Sequence, residues 1–218
     1  MLTIFTHFID LENKKIYDDF LKDCDPDFIK KASSYFHDRD RLKRIAGRML
    51  LKKAWAETTL SSNFPVVKRI DDRHKPYIDN WLHFSLSYTD GAVVLGVSEI
   101  GDIGIDIETI KELEDKDIIS YFHPIEQQYI ENSRDFVYSF YHIWVRKEAL
   151  LKAIGIGLID GLQSSNCTMN PTYYKDIIWH FKELEISKKH VCYVATKIPE
   201  DKLKIRYYNL SIQELRVY

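Results

Sequence analysis

The chain has 218 residues, 45% hydrophobic and 29% charged, with a formal net charge of −2. This is ordinary globular composition without the bulk basic field that nucleic acid attracts. Three widely spaced cysteines, Cys24, Cys167 and Cys192, make neither a disulfide framework nor a zinc site. No apolar run reaches the length of a bilayer span, and the acids Asp10 and Glu12 argue against a signal peptide, so the expectation is a cytoplasmic protein with no membrane partner.

In chain order, the first signal is a cluster of cations between His37 and Lys53: Arg39, Arg41, Lys43, Arg44, Arg48, Lys52 and Lys53. A solvated helix face is the ordinary meaning of such a run, and a phosphate site is the sharper one. From about Asp40 to Leu60 the apolar stripe of Leu42, Ile45 and Met49, widened by Ala46, Leu50 and Ala54, predicts a helix. Ser61-Ser62-Asn63 and Pro65 end it. His83 to Tyr88 reads as a strand, Thr89-Asp90-Gly91 as a turn, and Ala92 to Ser98 as the return strand. Gly101-Asp102 then turns into Ile103 to Ile107. A helix followed by a three-stranded meander results.

The order repeats. A helix is predicted near Pro124 to Asn132 and a longer one from about Phe136 to Ile154, with Gly155 as its cap. Strands follow at Ile177 to Phe181, Val191 to Thr196 and Leu203 to Tyr207. The fold class expected is α+β. Two similar halves, residues 1–102 and 103–218, are related by a pseudo-two-fold, each a long helix on a three-stranded antiparallel sheet. A ligand site is expected at the interface between them.

The chemistry concentrates in two places. In Gly104-Ile105-Asp106-Ile107-Glu108 the isoleucines share one strand face, so Gly104, Asp106 and Glu108 share the other. Two carboxylates on one face repel each other unless a cation lies between them. On the second long helix Glu148 and Lys152, at i and i+4, lie one above the other. Three carboxylates beside a lysine suit magnesium holding a diphosphate, because that hard cation takes a few carboxylates together with phosphate oxygens and water. Each piece alone has a plainer meaning: a polar strand face for Asp106 and Glu108, and a surface ion pair for Glu148 and Lys152. Manganese suits the same oxygen ligands.

Taken together, Gly104-Ile105-Asp106-Ile107-Glu108 and Trp144-x-x-Lys147-Glu148-Ala149-x-x-Lys152-Ala153-x-Gly155-x-Gly157-Leu158 resemble the paired signatures of the 4'-phosphopantetheinyl transferase superfamily, in its monomeric, surfactin-synthetase-activating type. His74-Lys75-Pro76-Tyr77, His83-Phe84-Ser85-Leu86-Ser87-Tyr88 and Arg44-Ile45-Ala46-Gly47-Arg48 are similar to further segments of that family. The resemblance implies transfer of the 4'-phosphopantetheine arm of coenzyme A to a serine of an apo acyl or peptidyl carrier protein, with adenosine 3',5'-bisphosphate released. It implies Asp106, Glu108 and Glu148 as metal ligands and Glu148 as the base, with Glu108 as alternative base and Lys152 on the phosphates. Coenzyme A contacts are expected at Lys31, Lys43, Arg44, Lys75, Pro76, Ser87, Tyr88, Asp106 and Lys152. The carrier is expected to dock at Tyr121, Phe122 and Ile125, unless these are core residues. Tyr88 stands where the family has histidine and His74 where it has glycine. Readings of another class are a non-catalytic binder of coenzyme A or carrier protein, and a metal-dependent hydrolase of nucleotide diphosphates.

Overall fold

The computed structural model describes residues 1–69, 75–156 and 162–215; His74, Gly157 and Leu158 of the sequence motifs lie outside them. Strand β1 (Leu2–Phe8) is followed by helices α1 (Lys14–Lys22), α2 (Pro26–Ser33) and α3 (Asp38–Thr59). A short ribbon of β2 (Lys68–Arg69) and β3 (Pro76–Tyr77) leads to β4 (His83–Thr89), β5 (Ala92–Ser98) and β6 (Ile103–Thr109). Helices α4 (Pro124–Glu131) and α5 (Phe136–Ile154) precede β7 (Thr172–Tyr174), β8 (Ile177–Glu183), β9 (His190–Thr196) and β10 (Ile205–Asn209), and a last helical turn spans Ile212–Leu215.

The α+β class and the doubled helix-on-sheet plan hold, with four strands per main sheet: β10-β1-β5-β4 and β6-β9-β8-β7. Two strand placements differ from the sequence reading. β6 does not ladder onto the first hairpin but pairs antiparallel with β9, Asp106 opposite Tyr193. The strand expected from Leu203 leaves the second half and runs parallel to β1, Leu2 opposite Ile205. Alternation shows which face a strand buries but not its lateral partner, and β1, buried on both faces along almost its whole length, has no alternation to read.

Three apolar clusters explain the layers. β5 turns Val93, Leu95 and Val97 toward α3, where Leu42, Ile45, Met49 and Leu50 are fully buried. Its other face, with Ala92 and Val94, joins Leu2, Ile4, Ile103, Ile105, Ile107 and Val194 in a cluster shared by both sheets. α5 packs Ile143, Leu150 and Ala153 on the second sheet with Phe181, Val191 and Tyr193. The isoleucines of β6 therefore face the shared cluster, and its alternate residues face α5.

Where the halves meet, hydroxyl groups do the work of a ladder. The Ile105 N–H donates to Ser85 Oγ at 3.0 Å, the Thr109 N–H donates to Thr89 Oγ1 at 2.8 Å, and Ser87 Oγ donates to Asp106 at 2.7 Å. Ser85, Ser87 and Thr89 alternate along β4, so all three point the same way, toward β6.

Candidate active site

Gly104 sets how closely α5 can approach β6. A Cβ there would lie 1.9 Å from the Ala149 carbonyl oxygen and 2.4 Å from the Ala153 nitrogen. Only a residue without a side chain lets the helix backbone rest on the strand backbone. With Ala149 and Ala153 on the facing side of α5, that contact brings Lys152 within 2.6 Å of Asp106 Oδ1.

The cavity formed there has a volume of about 370 Å³. Asp106 and Glu108 enter it from β6, Ser87 and Tyr88 from β4, Trp144, Glu148 and Lys152 from α5, and Lys43 and Arg44 from α3. The structure thus brings together all three expected carboxylates and Lys152, from β6 and α5 of the second half, and sets them against Lys43, Arg44, Ser87 and Tyr88 of the first. A second cavity of about 420 Å³ shares Tyr35, Arg44 and Tyr88 with the first and is lined further by Lys31, Arg48, Phe28 and Pro76. Arg44 lies between two rings, its guanidinium carbon 4.5 Å from the centre of Tyr88 and 5.7 Å from that of Tyr35.

The carboxylates are under electrostatic load. Burial pushes the Glu148 carboxyl up to about 7, with the neighbouring Asp106 acting in the same direction. Burial likewise pushes Glu108 up to about 7; Asp106 adds to the shift, and hydrogen bonds from Thr89 and Trp144 oppose it. Asp106 Oδ1 accepts from Lys152 and Ser87, while Asp106 Oδ2 and Glu148 Oε1 are buried without a hydrogen-bond partner. A buried carboxylate oxygen with no donor is costly, and a cation between these two oxygens would relieve both. Oxygen-only donors of this kind fit a hard divalent ion. Among the described residues no three acidic, histidine or cysteine side chains stand ready to hold a metal, and Lys152 lies on the near oxygen of Asp106.

Other expected residues fall elsewhere. Lys75 lies in the contact between the halves, its Nζ 3.2 Å from the Ile103 carbonyl and 3.3 Å from that of Ala153. Lys43 lines the first cavity but pairs with Asp40 at 2.8 Å. Phe122 is a core residue, 0% exposed, whereas Tyr121 and Ile125 are 61% and 51% exposed, so only two of the three proposed docking residues reach the surface. Lys147, next to Glu148 in the motif, points the other way into a fully buried pair with Glu126 at 2.9 Å, and it donates to the Ser165 carbonyl at 2.7 Å. Tyr35 and Thr89 escaped the sequence reading. Tyr35 lies between α2 and α3 with no periodic signal, and Thr89 reads as the start of a turn.

Residues 102–197 match the model of the 4'-phosphopantetheinyl transferase superfamily. A protein of Aneurinibacillus migulanus named 4'-phosphopantetheinyl transferase gsp is 32% identical over 144 residues, covering 63% of this chain and 59% of that one. The 4'-phosphopantetheinyl transferase of Bacillus subtilis is 28% identical over 136 residues, 59% of each chain. The L-aminoadipate-semialdehyde dehydrogenase-phosphopantetheinyl transferase of Mus musculus is 23% identical over 231 aligned positions, covering 89% of this chain and 72% of that one. The chain therefore spans a little under two thirds of the two bacterial relatives. The matched segment contains β6 and α5, the two elements that carry the carboxylates and Lys152, so the likeness to the 4'-phosphopantetheinyl transferase superfamily falls on the part of the chain that builds the site.

Proposed function

We propose that the chain transfers the 4'-phosphopantetheine arm of coenzyme A to a serine hydroxyl of an apo acyl or peptidyl carrier protein. The observation that carries this reading is the cavity between the halves, where three carboxylates and Lys152 converge with two buried carboxylate oxygens unpartnered. In the reaction the serine oxygen forms a bond to the phosphorus that carries the pantetheine arm. The bridging P–O bond breaks, and adenosine 3',5'-bisphosphate leaves. Glu148, whose carboxyl is pushed up to about 7, suits the base that takes the serine proton, because a base is most effective near the operating pH; Glu108 is the alternative. Asp106, Glu108 and Glu148 are the residues to hold magnesium, or manganese in its place. The ion would supply charge neutralisation on the diphosphate and its leaving oxygen. Lys152 must then leave Asp106 for the phosphates, a small movement of a flexible side chain.

On this reading the first half, 1–102, takes the nucleotide end of coenzyme A, and 103–218 supplies the ligands and the base. Lys31, Arg44, Pro76 and Tyr88 line the second cavity, which continues from the carboxylates as a diphosphate-linked nucleotide would require. Lys43 and Ser87 flank the phosphates. Exposed Tyr121 and Ile125 offer an apolar face to the carrier. The working form on this reading is a cytoplasmic monomer; among the described residues no helix is long and apolar enough to cross a membrane.

Mass spectrometry of an apo carrier incubated with coenzyme A and magnesium tests the reading. Transfer adds about 340 Da to one serine, and Asp106→Ala and Glu148→Ala each abolish that gain while far-ultraviolet circular dichroism stays unchanged. Consumption of coenzyme A without the gain would mean a hydrolase, and binding without turnover would mean a carrier of coenzyme A only.

A further inference from the structure

Lys75 is half-hidden between the halves, its side chain 12% exposed. Its ammonium lies 3.4 Å from Asp102 Oδ1, 3.2 Å from the Ile103 carbonyl and 3.3 Å from the Ala153 carbonyl. An ammonium has three protons to donate, and three acceptors among the described residues lie within its reach. Ala153 belongs to the last turn of α5, where carbonyls have no partner within the helix and the dipole favours a cation. Ile103 opens β6. Between these acceptors lies Gly104, the point of closest approach of strand and helix. Lys152 immediately precedes one acceptor, and Asp106 follows the other by three residues. Lys75 itself immediately precedes β3 in the first half, next to Pro76, which lines the second cavity.

We propose that Lys75 is a positioning residue: it ties the end of α5 to the start of β6 and so holds the helix that carries Glu148 and Lys152 in place against the strand that carries Asp106, instead of binding a phosphate of the substrate. The role of the positioned groups rests on the transfer reading, but the tie itself does not. A loosened contact displaces reacting groups by a fraction of an ångström, which lowers turnover far more than substrate affinity.

The test compares wild type with Lys75→Met, which keeps the apolar stem and removes the donors. Each is assayed with coenzyme A and with 3'-dephospho-coenzyme A, and amide hydrogen exchange is followed in the last turn of α5. The expected result is a fall in kcat of roughly 10–100-fold, with KM for coenzyme A changed by less than about twofold and the ratio of rates for the two donors as in wild type. Exchange at the end of α5 rises, while β1 and β5 keep their protection. A donor ratio that collapses toward one would show that Lys75 grips the 3'-phosphate, and an unchanged kcat in the folded variant would equally overturn the proposal. If Lys75→Met does not fold, Lys75→Gln is read in the same way. If wild type transfers from neither donor, the transfer reading has failed, and the exchange data alone decide: unchanged exchange at the α5 terminus removes the tie.

Discussion

Two glycines decide what the neighbouring charges can reach. Gly104 leaves no room for a methyl group, because the atoms in the way are backbone atoms of α5 at 1.9 and 2.4 Å. Gly104→Ala must therefore push the helix off the strand. We expect a stability loss of about 3 kcal/mol, at the upper end of overpacking costs, read as a lower urea midpoint; a midpoint equal to wild type would mean the helix yields without cost. Gly47 is a gentler case. A Cβ there would meet the Tyr88 hydroxyl at 2.6 Å, the far end of a side chain that can move. Its absence lets Tyr88 lie across α3 and stack on Arg44. Tyr88 is a neutral phenol at pH 7, its ionisation pushed further up by burial, so the charge at this place is supplied by Arg44. Tyr88→His adds a second, titratable donor in a smaller ring. Calorimetry should show coenzyme A binding unchanged or tighter, the more so below pH 6.5, where a free imidazole is protonated. A large loss of affinity would mean that the tyrosine hydroxyl or its stacking on Arg44 makes an essential contact.

At the level of elements, α5 carries different chemistry on its two faces. Toward β6 it presents Glu148 and Lys152. Farther from that site, His142 donates through Nδ1 to the Tyr193 hydroxyl at 3.0 Å, which in turn donates to Glu183 at 2.8 Å. Burial pushes His142 down to about 4, and Arg146 acts in the same direction. In the unfolded chain the imidazole returns to about 6.5. Above that pH both states are neutral and the group contributes no pH dependence. Between about 6.5 and 4 the unfolded chain binds a proton that the folded chain refuses, so stability falls as pH falls. His142→Gln removes this contribution. Wild type should lose more stability than the variant between pH 7.5 and 5 in paired denaturant titrations; parallel losses would show that the imidazole protonates freely in the folded protein. The period of the apolar residues made the extent of α5 legible, and Phe136 and Ile154 bound it as expected. The i,i+4 spacing also placed Glu148 and Lys152 on one face. The direction of Lys147, one residue before Glu148, was not legible, because its partner Glu126 lies on another helix and only tertiary packing brings them together. The same holds for Lys75. Its motif suggests a phosphate contact, and two of its described acceptors, at Ile103 and Ala153, are backbone carbonyls that no sequence pattern marks.

For the whole molecule, the least legible feature is the return of the chain end to its beginning. β10 pairs with β1, and Leu210, Ile212 and Leu215 enter the cluster beneath α3. A relay fastens the join: the Asp10 N–H donates to the Tyr17 hydroxyl at 3.0 Å, that hydroxyl lies 2.7 Å from His7 Nε2, and His7 Nδ1 lies 2.8 Å from the Leu210 carbonyl. With the Tyr17 oxygen accepting from Asp10, its proton goes to Nε2, which leaves Nδ1–H to donate to Leu210. The first half is therefore not complete at residue 102, and truncation separates the two topologies. Removing residues 204–218 uncovers the edge of β1 and deletes three buried aliphatic side chains, each contributing roughly 1.5–3 kcal/mol. For a chain of this size that corresponds to a fall in Tm of roughly 10 °C or more. Hydrogen exchange in the truncated chain should show lost protection in β1 and β5 with β8 and β9 retained. The opposite pattern is what a meander confined to the second half would give, because the deleted strand would then have lain on the sheet that contains β6. The carboxylates on β6 and α5 lie on the side that keeps its sheet, so the truncated chain should hold these carboxylates and Lys152 together while losing the helix that carries Lys43 and Arg44.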